Sequence, residues 1–230
     1  MLDPIFLSLK VAIIAVCIDF VFGMVVARFM ARRDFVGKNL AESLIILPMV
    51  LPPTVLGYGL LIFLGKRGPI GNILLDWFGF QIIFTWWAAA LASAIVSFPL
   101  MYQSAKAAFS SVDLSLEKAA RTLGTGEIRI FLTITLPLAW PGILAGLVLA
   151  FARALGEFGA TLMVAGNIPG KTQTIPLAIY SAVESGEEET AKMLVLVITV
   201  LSFAALFWLN KWSKEKIQLW KKGSETHAES

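Results

Sequence analysis

The sequence contains few of the residues from which catalytic and metal sites are usually built. Its 230 residues include one cysteine, Cys17, and one histidine, His227, and only 15% of them are charged. One cysteine forms no intrachain disulfide, and a lone histidine in a polar C-terminal stretch leaves no metal cluster and no Cys/His or Ser/His/Asp arrangement. The phosphate-binding pattern G-x-x-x-x-G-K-[ST] is also absent. We therefore expect no enzyme active site, no metal site and no cofactor in this chain.

Long apolar runs dominate the sequence instead. Hydrophobic residues make up 57% of the chain and the mean hydropathy is +0.78, which is typical of an integral membrane protein. A helix crosses a bilayer with roughly 20 apolar residues, and such runs occupy residues 5–29, 44–64, 82–102, 138–158 and 193–209. Two shorter segments, 72–80 and 174–183, are expected to be helices at the outer surface. The sequence predicts an all-α membrane protein with five transmembrane helices, and six as the alternative.

The basic residues indicate how the spans are oriented, because positively charged loops stay in the cytoplasm. Thirteen of the 19 Lys and Arg residues fall in the first loop, in the loop after the third span and in the C-terminal stretch. We therefore expect the N-terminus outside and the C-terminus in the cytoplasm, with one transmembrane domain over residues 1–220 and a polar cytoplasmic tail over 221–230. No interleaved basic and aromatic pattern indicates a nucleic-acid partner.

The stretch EKAARTLGTGEIRIFLTITLPLAWPGI begins with a short polar helix in the predicted cytoplasmic loop 106–133. Asp113 is expected to be its N-cap, and Gly124 stands where a left-handed C-terminal residue belongs. Four apolar residues recur at i, i+3, i+4 and i+7 spacing and form one narrow stripe, namely Leu116, Ala119, Ala120 and Leu123. Such a stripe seats a helix in the groove of a partner, or packs it on its own protein or on lipid headgroups. The stripe alone leaves both readings open.

A resemblance decides between these readings. From Lys118 onward, the run K-A-A, three residues, Gly124, nine residues and then I-T-L-P is similar to the EAA signature of ABC importer permeases, E-A-A-x3-G-x9-I-x-L-P. The resemblance implies a type I ABC importer permease fold, in which this helix docks into a cleft of a cytoplasmic ATPase. The residues that it assigns to ATPase coupling are Leu116, Glu117, Lys118, Ala119, Ala120, Arg121, Gly124 and Pro137. Because Lys118 holds the glutamate position and Glu117 precedes it, the register of an acidic contact with the ATPase is open.

Two further stretches narrow the family. LPMVLPPTVLGYGLLIFLGKRGPIG and RALGEFGATLMVAGNIPGKTQTIPLAIY resemble molybdate importer permeases, which are related to the sulfate/thiosulfate permeases. The resemblance implies a homodimer in a bacterial or archaeal cytoplasmic membrane. It also implies two ATPase subunits, which carry the ATP and Mg²⁺, and an external oxyanion-binding protein. The function indicated is the translocation pathway of an ATP-driven molybdate importer, with tungstate or sulfate/thiosulfate as the alternative cargo.

The second predicted span contains the clearest irregularity at membrane depth. Pro48, Pro52 and Pro53 lack N–H donors, so the helix must bend or open there. Irregular backbone at this depth is tolerated beside protein or water, so a discontinuous helix lining a pathway and an ordinary proline kink in a packed helix are both open readings. Since a fixed bare cation would hold a dianion too tightly for release, hydroxyls and backbone N–H groups are the better oxyanion contacts. The pathway candidates are Pro52, Pro53, Thr54, Tyr58, Ser93, Ser97, Arg153, Glu157 and Thr161.

Charged residues within the predicted spans need partners, because each costs roughly 2.5–3.5 kcal/mol at mid-bilayer on insertion scales. Arg153 and Glu157 are i, i+4 neighbours and are expected to form an ion pair, with a place on the anion's route as the alternative. Asp19 is the deepest charge and most in need of a partner. The fourth span also carries small residues at close-packing spacing, so we expect the axis of a C2 homodimer there, along Ala145, Gly146, Ala150 and Ala154.

Two other classes of membrane protein fit the sequence less well. A secondary anion transporter predicts internal repeats and embedded coupling carboxylates, but no inverted repeat is visible and only Asp19 lies deep. A membrane enzyme predicts clustered catalytic groups, and those are missing. The sequence therefore favours a permease subunit whose energy source is a separate ATPase.

Overall fold

The computed structural model describes residues 2–228, with side chains described for residues 2–208 and for Lys211. All regular elements within residues 2–228 are helical, as predicted, with a π-helical turn Phe131–Thr135 between α7 and α8. The helices are α1 (Leu2–Arg32), α2 (Lys38–Val50), α3 (Pro53–Leu64), α4 (Pro69–Phe78), α5 (Trp86–Ser110), α6 (Leu114–Thr122), α7 (Glu127–Ile130), α8 (Leu136–Leu155), α9 (Gly159–Ala165), α10 (Ile175–Glu184) and α11 (Glu188–Ala228). Of the predicted tail 221–230, residues 221–228 continue α11, and residues 229–230 lie outside the described residues.

Five spans are obtained when a bent pair of helices is counted as one. Four helical stretches within the described residues are long and apolar enough to cross a membrane, and α2 with α3 supplies the fifth. Those four are Leu2–Arg32, Trp86–Ser110, Glu127–Leu155 and Glu188–Trp208. The third span runs to Ser110, past its predicted end at residue 102, because Ala105 and Phe109 are fully buried in the core. The two short segments form the ten-residue helices α4 and α10.

The second span is broken where its prolines predict. α2 and α3 are bent by 112° relative to each other. Leu51 between them is extended, and Pro53 is the first residue of α3. A backbone N–H at this position has no partner within the helix, so a proline there costs no helical hydrogen bond. None of the residues of α2 is buried within the chain. One side of the broken span is therefore uncovered in the single subunit.

The fourth predicted span, 138–158, is also divided. It begins earlier than predicted, with α7 and the π-helical turn, and α8 ends at Leu155. Residues 156–158 then separate α8 from the short helix α9. At this break a Cβ on Gly159 would lie 3.0 Å from the Pro53 Cβ at the start of α3. The breaks in the second and fourth spans thus lie side by side.

Small residues let α8 pack closely on the central helix α5. A Cβ on Gly146 would lie 2.7 Å from the Ser104 Cβ of α5, so only glycine fits without a shift. Ala150 and Ala154 are also buried within the subunit. Gly146, Ala150 and Ala154 therefore already serve packing inside one chain, whereas Ala145 is half-buried, and the homodimer axis along this span stays a prediction.

Candidate coupling site and translocation face

The loop between α5 and α8 contains a capped helix at the predicted place. The Asp113 carboxylate accepts a hydrogen bond from the Ser115 backbone N–H at 2.8 Å, which caps α6 and holds the pKa of Asp113 below its usual range. Gly124 follows the helix with φ of +79°, a left-handed conformation that favours glycine. The predicted helix and the residues at both of its ends are confirmed.

The four residues of the predicted apolar stripe occupy two different environments. Leu116 and Leu123 are 45% and 85% exposed, and Ala119 between them is also exposed. Ala120 is buried against the rest of the chain, beside the buried Glu117. The stripe therefore divides into an outer surface, which we call the coupling face (Leu116, Ala119 and Leu123), and an inner surface that packs on the protein itself.

Glu117 is buried because four side chains surround its carboxylate. From the end of α1, Arg32 Nη2 donates to Oε1 at 2.8 Å and Arg28 Nη1 donates to the same oxygen at 3.1 Å. Thr135 Oγ1 in the π-helical turn donates to Oε1 at 2.7 Å, and Arg121 Nη2 lies 3.6 Å from Oε2. Burial raises the pKa of Glu117, but the hydrogen bonds from Thr135 and Arg28 and the charges of Arg28 and Arg32 outweigh it and hold the pKa below its usual range. Glu117 is therefore a charged carboxylate held by its own chain.

A second ion pair links α6 to α7. Arg121 Nη2 donates to Glu127 Oε2 at 2.9 Å, which joins the two helices across the turn that contains Gly124. The predicted coupling residues that are exposed are Leu116, Lys118, Ala119, Arg121, Gly124 and Pro137, whereas Glu117 and Ala120 are buried.

Sequence reasoning missed three partners of Glu117, namely Arg28, Arg32 and Thr135. The i, i+4 spacing of the two arginines places both on one face of α1 and is visible in the sequence. Their common partner lies 89 and 85 residues further along the chain, so no local pattern connects them to it.

Seven of the nine predicted pathway residues fall into two groups. Those exposed at the break and on α3 are Pro52, Pro53, Thr54 and Tyr58. Those buried in the subunit core are Ser93, Ser97 and Thr161. The first group is exposed in the single subunit, while packing encloses the second.

Arg153 and Glu157 form the expected ion pair, with Nη1 and Oε2 2.9 Å apart. The other Glu157 oxygen, Oε1, accepts a hydrogen bond from the Ala160 backbone N–H at 2.8 Å. The Glu157 side chain is 1% exposed. The pair therefore ties the end of α8 to the first turn of α9.

The partner of Asp19 is Ser97. Ser97 Oγ lies 2.5 Å from Asp19 Oδ2 and 2.8 Å from the carbonyl oxygen of Ser93, one turn earlier in α5. Both Asp19 and Ser97 are fully buried. This contact joins α1 to α5 in the core, so Ser97 serves helix packing in this structure.

Apolar side chains cover the open side of the broken span. Those exposed on α2 and α3 are Leu40, Leu44, Leu47, Met49, Val50, Val55, Ile62 and Phe63, which we call the α2–α3 face. Exposed apolar side chains on a membrane-spanning segment mark contact with lipid or with another protein. The face adjoins the break that carries Pro52, Pro53 and Thr54, and together they form the candidate translocation face.

The fold resembles that of solved ABC importers. The structure of the MetNI methionine ABC transporter in an inward-facing conformation matches with a TM-score of 0.70 at 14% identity, over 94% of this chain and 95% of the matched chain. A bacterial ABC transporter that imports alginate matches with a TM-score of 0.72 at 16% identity, over 93% of this chain and 79% of the other. The predicted type I ABC importer permease fold is confirmed.

Closer relatives are found among permeases of known name. The chain is 48% identical to the molybdenum transport system permease protein ModB of Escherichia coli K12, over 93% of this chain and 95% of the relative. It is 45% identical to ModB of Haemophilus influenzae, over 94% and 96%. The chloroplastic sulfate permease 2 of Chlamydomonas reinhardtii is 35% identical over 94% of this chain and 58% of that protein. Residues 19–217 match the family model described as binding-protein-dependent transport system inner membrane component, and the chain belongs to this family.

Proposed function

We propose that this chain is the transmembrane permease subunit of an ATP-driven molybdate importer. The observation that carries the proposal is the identity of 48% and 45% with two molybdenum transport permeases along nearly the whole of both chains. The sulfate permease relative is less similar, at 35%. Tungstate and sulfate/thiosulfate are therefore the alternative cargoes.

The coupling face supports docking to a cytoplasmic ATPase dimer, which would carry the ATP and Mg²⁺. An apolar surface on a short, capped helix suits the mode in which one helix inserts into the groove of a partner. Leu116 and Leu123 project from α6 with 45% and 85% of their surface exposed. The ion pair of Arg121 and Glu127 stabilises the turn that follows α6, so this end of the helix is held in place.

The candidate translocation face supports a homodimer with the pathway between its two copies. A single subunit leaves the α2–α3 face open, and a second copy related by a twofold axis would cover it. Thr54 and Tyr58 are exposed on α3, and Thr54 is the second residue of this helix, at its N-terminus. Hydroxyls and helix N-termini bind anions without a full positive charge, which suits an oxyanion that must also be released.

The proposed orientation, with the N-terminus outside and the C-terminus in the cytoplasm, rests on the gathering of the basic residues of the first and third loops at one end of the helix bundle. Arg28 and Arg32 at the end of α1 contact Glu117 in the loop 106–133, and Lys106 Nζ lies 2.6 Å from Glu42 Oε1 of α2. The first and third loops therefore share one end of the helix bundle, as the positive-inside rule requires of two cytoplasmic loops. An external binding protein would deliver the oxyanion at the opposite end.

Reconstitution tests the cargo. The dimer, its ATPase and its binding protein are assembled in liposomes, and ATP hydrolysis is measured with molybdate, tungstate, sulfate or thiosulfate as the only oxyanion. We expect molybdate to stimulate hydrolysis and uptake at the lowest concentration. Stimulation by sulfate at lower concentrations than molybdate would instead assign the chain to the sulfate permeases.

A further inference from the structure

We infer that Glu117 is a positioning residue that fastens the coupling helix to the first span, and that contact with the ATPase is left to the coupling face. This inference rests on the proposed function. It assigns Arg28 and Arg32 of α1 to the coupling machinery, although both lie far from the coupling loop in the sequence.

The inner surface of α6 has little else with which to hold the helix. Glu117 and Ala120 are its only buried residues. An alanine methyl group buries little apolar area, so the charge-assisted hydrogen bonds of Glu117 make up most of the attachment. Arg28 and Arg32 are themselves only 24% and 14% exposed, and this partial burial strengthens their attraction to the carboxylate.

The partners of Glu117 belong to two different spans. Arg28 and Arg32 belong to α1, and Thr135 closes the π-helical turn that leads directly into α8. Both α1 and α8 pack along α5. A displacement of α6 therefore pulls on two spans at once through one carboxylate, without a long side-chain pathway.

The position of Lys118 separates this role from the ATPase contact. Lys118 is exposed next to the coupling face, whereas Glu117 is 1% exposed. A carboxylate enclosed by Arg28, Arg32 and Thr135 offers no surface to a docking partner. Glu117 therefore attaches α6 to its own chain, while Lys118 lies on the side of the helix that a partner can contact.

Glu117→Gln tests the inference because the amide keeps the size of the side chain and removes its charge. We expect the reconstituted complex to retain ATPase co-purification within about twofold, since the coupling face is unchanged. Molybdate-stimulated uptake per ATP should fall about tenfold, equivalent to about 1.4 kcal/mol of coupling. A spin label on Ser115→Cys in a Cys17→Ser background should become more mobile, because α6 is no longer held to α1.

Three further variants keep the test decisive. Arg32→Gln removes one partner and should reproduce both effects, and the double variant should lose no more than Glu117→Gln alone, because the two residues act as one unit. Asp34→Asn is the matched control, since this carboxylate is 98% exposed. It should change neither uptake per ATP nor label mobility.

Unchanged label mobility and unchanged uptake per ATP in Glu117→Gln would overturn the inference. Loss of ATPase co-purification with unchanged mobility would also overturn it, because Glu117 would then be the ATPase contact. Failure of the proposed function is seen separately with Leu116→Asp. If that variant keeps its ATPase, the docking role of α6 fails, while the spin label still reports whether Glu117 anchors the helix.

Discussion

Gly57 of α3 and Ala160 of α9 lie so close that a Cβ added to Gly57 would come within 2.9 Å of the Ala160 Cα. The same Cβ would lie 2.7 Å from the Cβ of Met163. The contact holds the two broken spans together beside the candidate translocation face. Backbone atoms cannot rotate away as a flexible side chain does, so the helices themselves must separate to admit even one methyl group.

Gly57→Ala is therefore expected to destabilise the subunit. Overpacking of this kind typically costs about 1–3 kcal/mol, and thermal unfolding of the purified protein in detergent measures it. Gly59→Ala is the matched control, because nothing lies within 4 Å of a Cβ at that position. Alanine there should leave the melting temperature equal or slightly higher, since it favours a helix interior over glycine. Equal melting temperatures for both variants would contradict the close contact of α3 and α9.

Leu116→Asp and Leu123→Asp are expected to abolish ATPase binding while leaving the membrane domain folded. Both side chains are on the exposed coupling face, so the charge becomes buried only when the ATPase docks. An unpaired buried carboxylate costs at least about 3 kcal/mol, which lowers the association constant by about two decades. Co-purification of a tagged ATPase measures the loss.

Two other substitutions on α6 separate docking from folding. Ser115→Asp adds the same charge off the coupling face, in the first helical turn where acidic groups are favourable, and should retain ATPase binding. Ala120→Asp buries its charge within the subunit, so the amount of inserted protein should fall. Normal insertion of Ala120→Asp together with lost ATPase binding would place Ala120 on the docking surface instead.

Acid is expected to weaken the attachment of the coupling helix through Glu117. The pKa of Glu117 is held below its ordinary value in the folded protein. Its contribution to stability is therefore complete above the unfolded pKa of about 4.3 and is lost as the pH falls through the folded pKa. Glu117→Gln has no such titration.

The difference in melting temperature between the parent protein and Glu117→Gln isolates this effect from other carboxylates. The difference should be constant between about pH 6 and 8 and shrink below about pH 4. A difference that grows on acidification would mean that the protonated form of Glu117, and not the charged form, stabilises the folded protein.

Thiol labelling in intact cells is expected to report opposite sides for two exposed positions. In a Cys17→Ser background, Ser111→Cys between α5 and α6 should be shielded from an impermeant maleimide, whereas Lys171→Cys before α10 should be labelled. The expectation follows from the side on which basic residues gather. Labelling of Ser111→Cys from outside would place α6 on the wrong side for an ATPase partner.

Local patterns in the sequence predict the spans, the break and the capped helix. Hydropathy is a property of consecutive residues, and the prolines of residues 48–53 remove hydrogen bonds at known positions. Asp113 and Gly124 act on backbone groups only a few residues away, which is why their roles are visible without a structure.

Features that depend on distant residues are not visible in the same way. The spacing of apolar residues in α6 predicts an apolar stripe. It does not show that Arg28 and Arg32 bind Glu117 on the inner side of the helix, which also places Ala120 on that buried side. Similarly, Gly146 and Ala150 indicate a close helix contact, but small residues do not identify the partner. For Gly146 the partner is α5 of the same chain.

The distance in sequence between Arg32 and Glu117 gives the two arginines two successive uses during biosynthesis. The ribosome makes α1 first, and 85 residues must follow before the carboxylate exists. Until then the arginines are positive charges without this partner, and by the positive-inside rule such charges are expected to keep the end of the first span on the cytoplasmic side. Once the third span has been inserted and α6 has formed, the same charges become internal ties. The contacts of Glu117 with Arg28 and Arg32 therefore form only in a chain whose first three spans already have the correct order in the membrane.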